Sequence, residues 1–478
     1  MLYWKLIESH LSDPRIIISN ESREYTFRQL HARVRSYSVF FRSRGLKAGD
    51  RVLIVDREPL ETVVLLLACI SEGLVFVPVS RHMGTKERDE IVESCSPALI
   101  LDGEEDPTTE EVWDEEACIK DRKQYPEDTL VYIIYTSGTE GTAKGVCGSQ
   151  KQILFCSDVI NRRLGNNPGD RILCSLPLTF DYGLYQVFLA FMSGAQLYLS
   201  SREMLQRIPY LLKKWKITGF PTLPTVAALL VKTGFLNHAD DFYLRYISFT
   251  GEVLPLPLIR TLTEAMPRTS VIPMYGLTEC KRVAVMPAER TDKLLAGSCG
   301  LPLDGVKVCL INKEKDTGIG ELVVEGPNVM EGYWGIRDED SGVFESDRET
   351  GRRRVYTGDL FRIDSEGFLY FCGRRNGIIK IRGYRVNGFG MEEMIRKVNG
   401  VKEVAVTGLP DPVTGEHAVV FVYAEDASVR HAVEETVRQM PFYLQNSEVF
   451  LLHTPFPRNR NGKTDIKKLC VLAKEALI

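Results

Sequence analysis

Tyr135-Thr-Ser-Gly-Thr-Glu-Gly-Thr-Ala-Lys-Gly-Val146 is the stretch on which the reading of this chain turns. Its twelve residues hold four small hydroxyl residues, three glycines and one lysine. They follow the apolar run Leu130–Ile134, which reads as a buried strand. A strand leading into a glycine- and hydroxyl-rich loop offers several backbone N–H donors to a phosphate chain. Glycine lets the backbone approach the anion, and lysine adds positive charge. The loop is not a Walker A motif, because Ala143 stands where a glycine must precede the lysine. The other Gly-Lys-Thr, Gly462-Lys463-Thr464, fails too, because Pro457 occupies the upstream glycine position.

Thr136–Gly145 resembles the signature loop of the adenylate-forming superfamily, which includes acyl-CoA synthetases, nonribosomal peptide adenylation domains and luciferases. Five further segments match in the expected order. They are Tyr275-Gly-Leu-Thr-Glu279, Gly320-Glu-Leu-Val-Val-Glu-Gly326, Tyr356-Thr-Gly-Asp-Leu360, Gly373-Arg374 through Lys380-Ile-Arg-Gly383, and Asn461-Gly-Lys463. Weaker matches at Tyr25–Leu30 and Gly45–Asp50 extend the resemblance over nearly the whole chain.

At 478 residues the chain should hold at least two domains. Apolar content of 44% and charged content of 26% are those of a soluble globular protein. A net charge of −4 gives no reason to invoke nucleic acid or an anionic membrane as partner. Arg352-Arg353-Arg354 reads as a solvated loop. The eleven cysteines form no CxxC pair, and Cys69 and Cys174 sit in apolar runs as small core residues. That usage fits a reducing cytoplasm. No signal-peptide pattern opens the chain, and no apolar window is long enough for a membrane span.

Between 130 and 280 short apolar runs alternate with amphipathic segments, the grammar of a mainly parallel sheet covered by helices. The expected strands are Arg171–Ser175, Gln196–Leu199, Leu244–Phe249 and Ser270–Met274. The expected helices are Gln150–Arg163, Tyr185–Met192, Arg202–Lys216 and Pro257–Ala265. Short strands dominate from about 295 to 372. A compact α+β pattern follows, with a helix at Met391–Val398, strands at Glu403–Thr407, Ala418–Tyr423 and Glu448–Leu452, and a helix at Val429–Gln439. The expected fold is therefore α/β: a large N-terminal domain of βαβ-layered sheets with a small β-rich subdomain, then a small α+β C-terminal domain. The boundary is placed at Arg375-Asn376, giving 1–375 for ATP and acid binding and 376–478 for a mobile domain carrying the catalytic lysine. The short stretch after Lys463 leaves no room for a fused carrier domain.

The resemblance implies an AMP-forming ligase. A carboxylate attacks the α-phosphate of ATP to give an acyl-adenylate, and a thiol then takes the acyl group. Thr136, Ser137, Gly138, Thr139, Gly141 and Lys144 would wrap the β- and γ-phosphates. Tyr275 and Gly276 would hold adenine, with Gly251 and Glu252 nearby. Thr278 would touch the α-phosphate, and Glu279 with Thr139 would hold Mg²⁺, a hard cation suited to carboxylate and phosphate oxygens. Asp359 would accept from the ribose hydroxyls, and Arg374 would add a ribose-phosphate contact. Lys463 would bridge the acid and the α-phosphate, placing charge where it develops. Asn376 stands at the hinge, where Asp or Lys is usual, and Asn tolerates unusual backbone angles. Lys380, Gly383 and Arg385 would line the pantetheine tunnel. Gln150 stands where relatives often have His, Gly388 where proline is usual, and Gly390 where Glu is usual.

The acid pocket would draw on Phe180, Asp181, Tyr182, Gly183, Thr222, Thr250 and Met274, with Phe220, Pro221, Gly251 and Glu252 alongside. Asp181 has two readings. It pairs with a substrate ammonium, as in amino-acid-activating relatives, or it bonds local backbone, as in ligases for other acids. The second is slightly favoured. The acceptor is coenzyme A or the phosphopantetheine of a free-standing carrier protein, with an amine as alternative. A catalytically silent nucleotide-binding regulator is the reading from a different class; the intact Lys463, Glu279 and Asp359 argue against it.

Overall fold

The computed structural model describes the chain apart from residues 104–122, 138–142, 201, 348–350, 382–383, 412–414, 442–443, 459–463 and 477–478. The chain packs as two units: Met1–Val308 with Val324–Val355, and Cys309–Val323 with Tyr356–Ile478.

The first unit is built on two sheets. One runs in the order Leu301–Pro302, Ala284–Val285, Ser270–Tyr275, Tyr246–Phe249, Gly219–Thr222, Arg171–Cys174, Gln196–Leu199, Ile16–Ser19, Glu24–Thr26. Its six strands from Ser270–Tyr275 to Ile16–Ser19 are parallel, and its edges are antiparallel. The central strands Gly219–Thr222, Tyr246–Phe249 and Ser270–Tyr275 are almost entirely buried, as strands covered on both faces must be. The second sheet orders Leu99–Leu101, Arg51–Val55, Val75–Val79, Leu130–Ser137 and Ala143–Ser149. Only its last pair is antiparallel.

Helices cover these sheets. Gln150–Leu164 starts at a capping box in which Ser149 and Gln152 satisfy each other's end of the first turn, and it stops at left-handed Gly165. Asp181–Ser193 is buried on nearly every side, and it packs against Gln150–Leu164. It begins four residues earlier than its apolar pattern implied. Gly183 makes that start possible: a Cβ there would lie 2.2 Å from the Pro177 carbonyl oxygen. The segment read as one helix from Arg202 divides into a 3₁₀ stretch, Arg202–Arg207, and a helix, Ile208–Lys214, with proline in its first turn. The arginine run 352–354 is not a solvated loop. Arg352 and Arg354 pair with Glu325 and Arg353 with Asp338, and Arg353–Arg354 open the strand Arg353–Ile363.

In the second unit a sheet orders Tyr384–Asn387, Ile378–Ile381, Gly415–Tyr423 and Glu403–Asp411, with Glu448–Leu452 parallel to Gly415–Tyr423. The helices Gly388–Ile395 and Val429–Arg438 bury Met391, Ile395, Val433 and Val437 against Ile379, Val404 and Val420. Asn387 caps the first of these helices through the Phe389 N–H. Cys69 and Cys174 are buried free thiols, and burial pushes both up in pKa, Cys174 to about 12. Among the described residues no helix is long and apolar enough to cross a membrane.

Candidate active site

The predicted pocket and nucleotide residues of the first unit gather at the carboxyl ends of neighbouring parallel strands. Thr222 closes Gly219–Thr222, Thr250, Gly251 and Glu252 follow Tyr246–Phe249, and Tyr275 closes Ser270–Tyr275. Open α/β sheets bind ligands at this edge. Thr222, Thr250, Met274 and Tyr275 are buried there. The turn after Tyr275 is unusually tight. A Cβ on Gly276 would stand 1.6 Å from the Lys281 carbonyl oxygen, so only glycine fits. This turn presents Thr278 and Glu279.

The two ends of the signature segment pair as antiparallel strands, in which Thr136 faces Lys144 and Ser137 faces Ala143. The Thr136 hydroxyl donates to the Lys144 carbonyl at 3.4 Å. Gly138, Thr139 and Gly141 lie outside the described residues.

A residue absent from the sequence reading joins this strand pair to the Tyr275–Glu279 turn. The segment Glu331–Trp334 runs antiparallel along Gly145–Cys147. Glu331 N–H donates to the Cys147 carbonyl at 2.9 Å, Cys147 N–H to Gly332 at 3.0 Å, and Trp334 N–H to Gly145 at 2.7 Å. Glu331 is anchored in turn by Lys151, Gln152 and Ser149. Tyr333 is thereby fixed between two expected site residues. Its hydroxyl donates to Glu279 Oε1 at 2.8 Å, and the Lys144 ammonium lies 5.4 Å from its ring centre. Burial and the Glu279 carboxylate push the Tyr333 phenol well up, so it stays a donor. The second Glu279 oxygen meets no protein donor among the described residues. A carboxylate held on one oxygen and open on the other suits a hard divalent cation that also takes phosphate oxygens.

The acid-pocket residues show a charge arrangement that neither reading of Asp181 anticipated. Asp181 opens its helix and is 5% exposed. Its Oδ2 lies 3.6 Å from Lys281 Nζ and 4.0 Å from Arg282 Nη1. The partners are therefore the chain's own cations, in place of local backbone or a substrate ammonium. Tyr182 donates to Ser248, and the Arg282 guanidinium lies 4.7 Å from the Tyr182 ring centre. Phe180 is the N-cap residue of the same helix. Gln150 is a structural residue: its Oε1 accepts from Leu2 N–H, and its Nε2 donates to Pro126.

In the second unit Asp359 and Arg374 are cross-strand partners in the Arg353–Ile363 and Leu369–Arg374 hairpin, with Arg374 Nε 2.9 Å from Asp359 Oδ1. Asp359 is buried, and its N–H donates to Thr357 Oγ1, which itself donates to the Leu322 carbonyl. Glu321, also missed, accepts from Gly358 N–H and Arg375. Asn376 lies in the one-turn 3₁₀ stretch Arg375–Gly377, and Lys380 is the register partner of Arg385. Gly383 and Lys463 lie outside the described residues.

A family model described as AMP-binding enzyme matches residues 8–334, and one described as AMP-binding enzyme C-terminal domain matches residues 390–463. The chain belongs to the AMP-binding enzyme family. An L-proline–[L-prolyl-carrier protein] ligase of Pseudomonas fluorescens is 25% identical over 505 residues, 97% of this chain and 98% of the relative. A probable CoA ligase of Humulus lupulus is 24% identical over 502 residues, covering 95% and 89%. Bacitracin synthase 1 of Bacillus licheniformis is 26% identical over 479 residues, 96% of this chain, but the chain spans 9% of its length. ATP-bound MatB from Rhodopseudomonas palustris matches the fold with a TM-score of 0.86 at 23% identity, over 99% of both chains.

Proposed function

We propose that this AMP-binding enzyme is a ligase that activates a carboxylic acid lacking an ammonium group and passes it to a thiol. The observation that carries the reading is the Lys144–Tyr333–Glu279 arrangement at the carboxyl edge of the parallel strands. It sets a phosphate-seeking cation beside a carboxylate open to a divalent metal.

In this reading Thr136, Ser137, Gly138, Thr139, Gly141 and Lys144 wrap the triphosphate. Tyr275 and Gly276 take adenine, with Gly251 and Glu252 at the adjoining strand end. Asp359 accepts from the ribose hydroxyls and Arg374 contacts the ribose-phosphate. Glu279, with Thr139, holds Mg²⁺, which when bound neutralises phosphate charge. Tyr333 is a positioning residue that fixes the Glu279 carboxylate. Thr278 and Lys463 steady the α-phosphate and the acid.

A carboxylate oxygen attacks the α-phosphorus, the α–β phosphoanhydride breaks, and pyrophosphate leaves. A thiolate sulfur then attacks the acyl carbon, and the acyl–phosphate bond breaks to release AMP. Coenzyme A and carrier-protein phosphopantetheine both supply such a thiol. The domain from Asn376 would turn between the steps, exchanging Lys463 for the strand of Lys380, Gly383 and Arg385. The engagement of Asp181 by Lys281 and Arg282 disfavours an amino acid, because the Asp181 charge is already taken up and is not left over for a substrate ammonium.

Acid-dependent ATP–pyrophosphate exchange tests the reading. Exchange with some acid, lost in K463A, is expected. Nucleotide binding without exchange for any acid would instead identify a silent regulator.

A further inference from the structure

Lys281 breaks several ordinary rules at once. It is 1% exposed, and its backbone is left-handed at φ 55°, a conformation costly for a residue with a Cβ. Its ammonium has no hydrogen-bond acceptor among the described residues. It lies 4.5 Å and 4.8 Å from the ring centres of Tyr185 and Tyr132, and 3.6 Å from Asp181, just beyond hydrogen-bond distance. Arg282, 5% exposed, faces the same carboxylate. Two buried cations thus share one carboxylate. A buried charge without a full partner is costly, so it persists where a ligand completes it.

The space beside the pair is about the size of one water, so a ligand carboxylate would displace that volume and shift the lining side chains to enter. A small cavity is lined by Tyr182, Tyr185, Ser248, Met274, Lys281 and Arg282 among others. Tyr182 and Met274 are among the expected acid-pocket residues. Lys281 follows Glu279 by two residues, and two residues of chain span at most roughly 7 Å. The cations therefore follow directly in the chain on the turn assigned to the reacting phosphate.

We propose that the acid is a short dicarboxylic acid, with its second carboxylate held by Lys281 and Arg282. This rests on the ligase reading for the fate of the first carboxylate. The second carboxylate supplies the missing acceptor for Lys281 Nζ and balances the charge left over by Asp181. Burial depresses the Lys281 pKa, Asp181 opposes that effect and Arg282 adds to it; Cys156, Tyr132 and Tyr185 are the other titratable groups against the ammonium. An incoming carboxylate stabilises the protonated form.

The test uses the full-length wild-type protein. Malonate, succinate and glutarate are compared with propionate, butyrate, valerate and β-alanine, in pyrophosphate exchange and in titration calorimetry. The diacids are expected to bind and exchange about 10–100-fold better than the monoacids of equal length, as hydrogen bonds between charged groups warrant. K281M, checked for folding by circular dichroism, is expected to raise the diacid KM while leaving kcat near wild type, because a tail contact is made equally in ground and transition states. Exchange that favours monoacids would overturn the proposal and leave the ligase reading standing; exchange that favours β-alanine would overturn the proposal together with the preference for an acid lacking an ammonium group. Diacid binding without any exchange would keep the proposal and remove the ligase reading. No diacid binding and no exchange would overturn the proposal.

Discussion

The Asp181 cluster predicts an asymmetry between two conservative substitutions. At an effective dielectric near 20, a unit charge pair at the observed separations of 3.6 Å and 4.0 Å is worth about 4–5 kcal/mol. Asp181→Asn loses both attractions and leaves two buried cations facing each other. Relief of the carboxylate's own desolvation returns several kcal/mol, so the net cost should be about 3–5 kcal/mol. Lys281→Met loses one attraction but also removes a buried ammonium and its repulsion with Arg282, and the methionine keeps contact with the Tyr132 and Tyr185 rings. Its stability should stay within about 1.5 kcal/mol of wild type. All four tryptophans, at positions 4, 113, 215 and 334, fall in the first unit's segments, so tryptophan fluorescence reports that unit during urea unfolding. With a slope near 3 kcal/mol/M, Asp181→Asn should lower the midpoint by about 1–1.7 M and Lys281→Met by less than about 0.5 M. Equal losses in the two variants, or no loss in Asp181→Asn, would refute the charge accounting.

Tyr333→Phe removes the hydrogen bond to Glu279 and should raise the half-saturating Mg²⁺ concentration in pyrophosphate exchange about 10-fold, with an unchanged unfolding midpoint. Lys463→Ala should slow adenylate formation by about 10²–10³ and leave thiol transfer from a supplied acyl-adenylate near wild type, both measured by rapid quench. Glu392, whose Oε1 accepts from Val406 N–H, is raised to about 7, chiefly by burial. Below the unfolded-state pKa both states are protonated, so no penalty arises; between that value and about 7 only the unfolded state ionises, and stability falls as pH rises. Glu392→Gln, which keeps an acceptor for Val406, should therefore stabilise the second unit at pH 8 by up to about 3 kcal/mol and change little at pH 4, as read by urea unfolding followed by circular dichroism.

Local grammar carried much of the fold. The parallel strands at Arg171–Cys174, Gln196–Leu199, Tyr246–Phe249 and Ser270–Tyr275 and the helix from Gln150 were legible because apolar runs and helical periodicity each leave a one-dimensional trace, whereas the strand Gly219–Thr222, interrupted by Pro221, was read only as pocket lining. Boundaries slipped where tertiary packing overrode that trace. The helix from Asp181 starts inside a stretch read as pocket lining, because Gly183 lets it settle on the Pro177 carbonyl. The helix expected at Met391–Val398 starts at Gly388, because Asn387 caps it. At the site, the glycine and hydroxyl pattern pointed to the phosphate hairpin. Tyr333 was invisible because its partners lie 54 and 189 positions away in sequence, at Glu279 and Lys144, and Gly332-Tyr333-Trp334 carries no local pattern. Lys281 and Arg282 gave one overlooked signal: two basic residues sit between a tight glycine turn and the buried run Val283–Val285. Charged residues in such a position have little access to water and must find partners in the fold.

The placement of that pair bears on why Asp181 is there at all. With the carboxylate alone, the pocket would attract an ammonium; with the two cations alone, the first unit would carry adjacent buried positive charges that only a ligand could compensate. Together they give a pocket whose unliganded state is tolerable and whose preference is still for an anion. The order of the charges along the chain supports this division. Asp181 sits at a helix start, where the helix dipole itself favours a negative charge. Lys281 and Arg282 follow a turn that Gly276 forces close to its own downstream backbone. The carboxylate is thus stabilised by its own element, while the cations are held by the turn that also presents Glu279. A substitution that loosens that turn, such as Gly276→Ala, should disturb acid selectivity and metal binding together, whereas one confined to the helix start, such as Asp181→Asn, should alter selectivity and stability but leave metal binding unchanged.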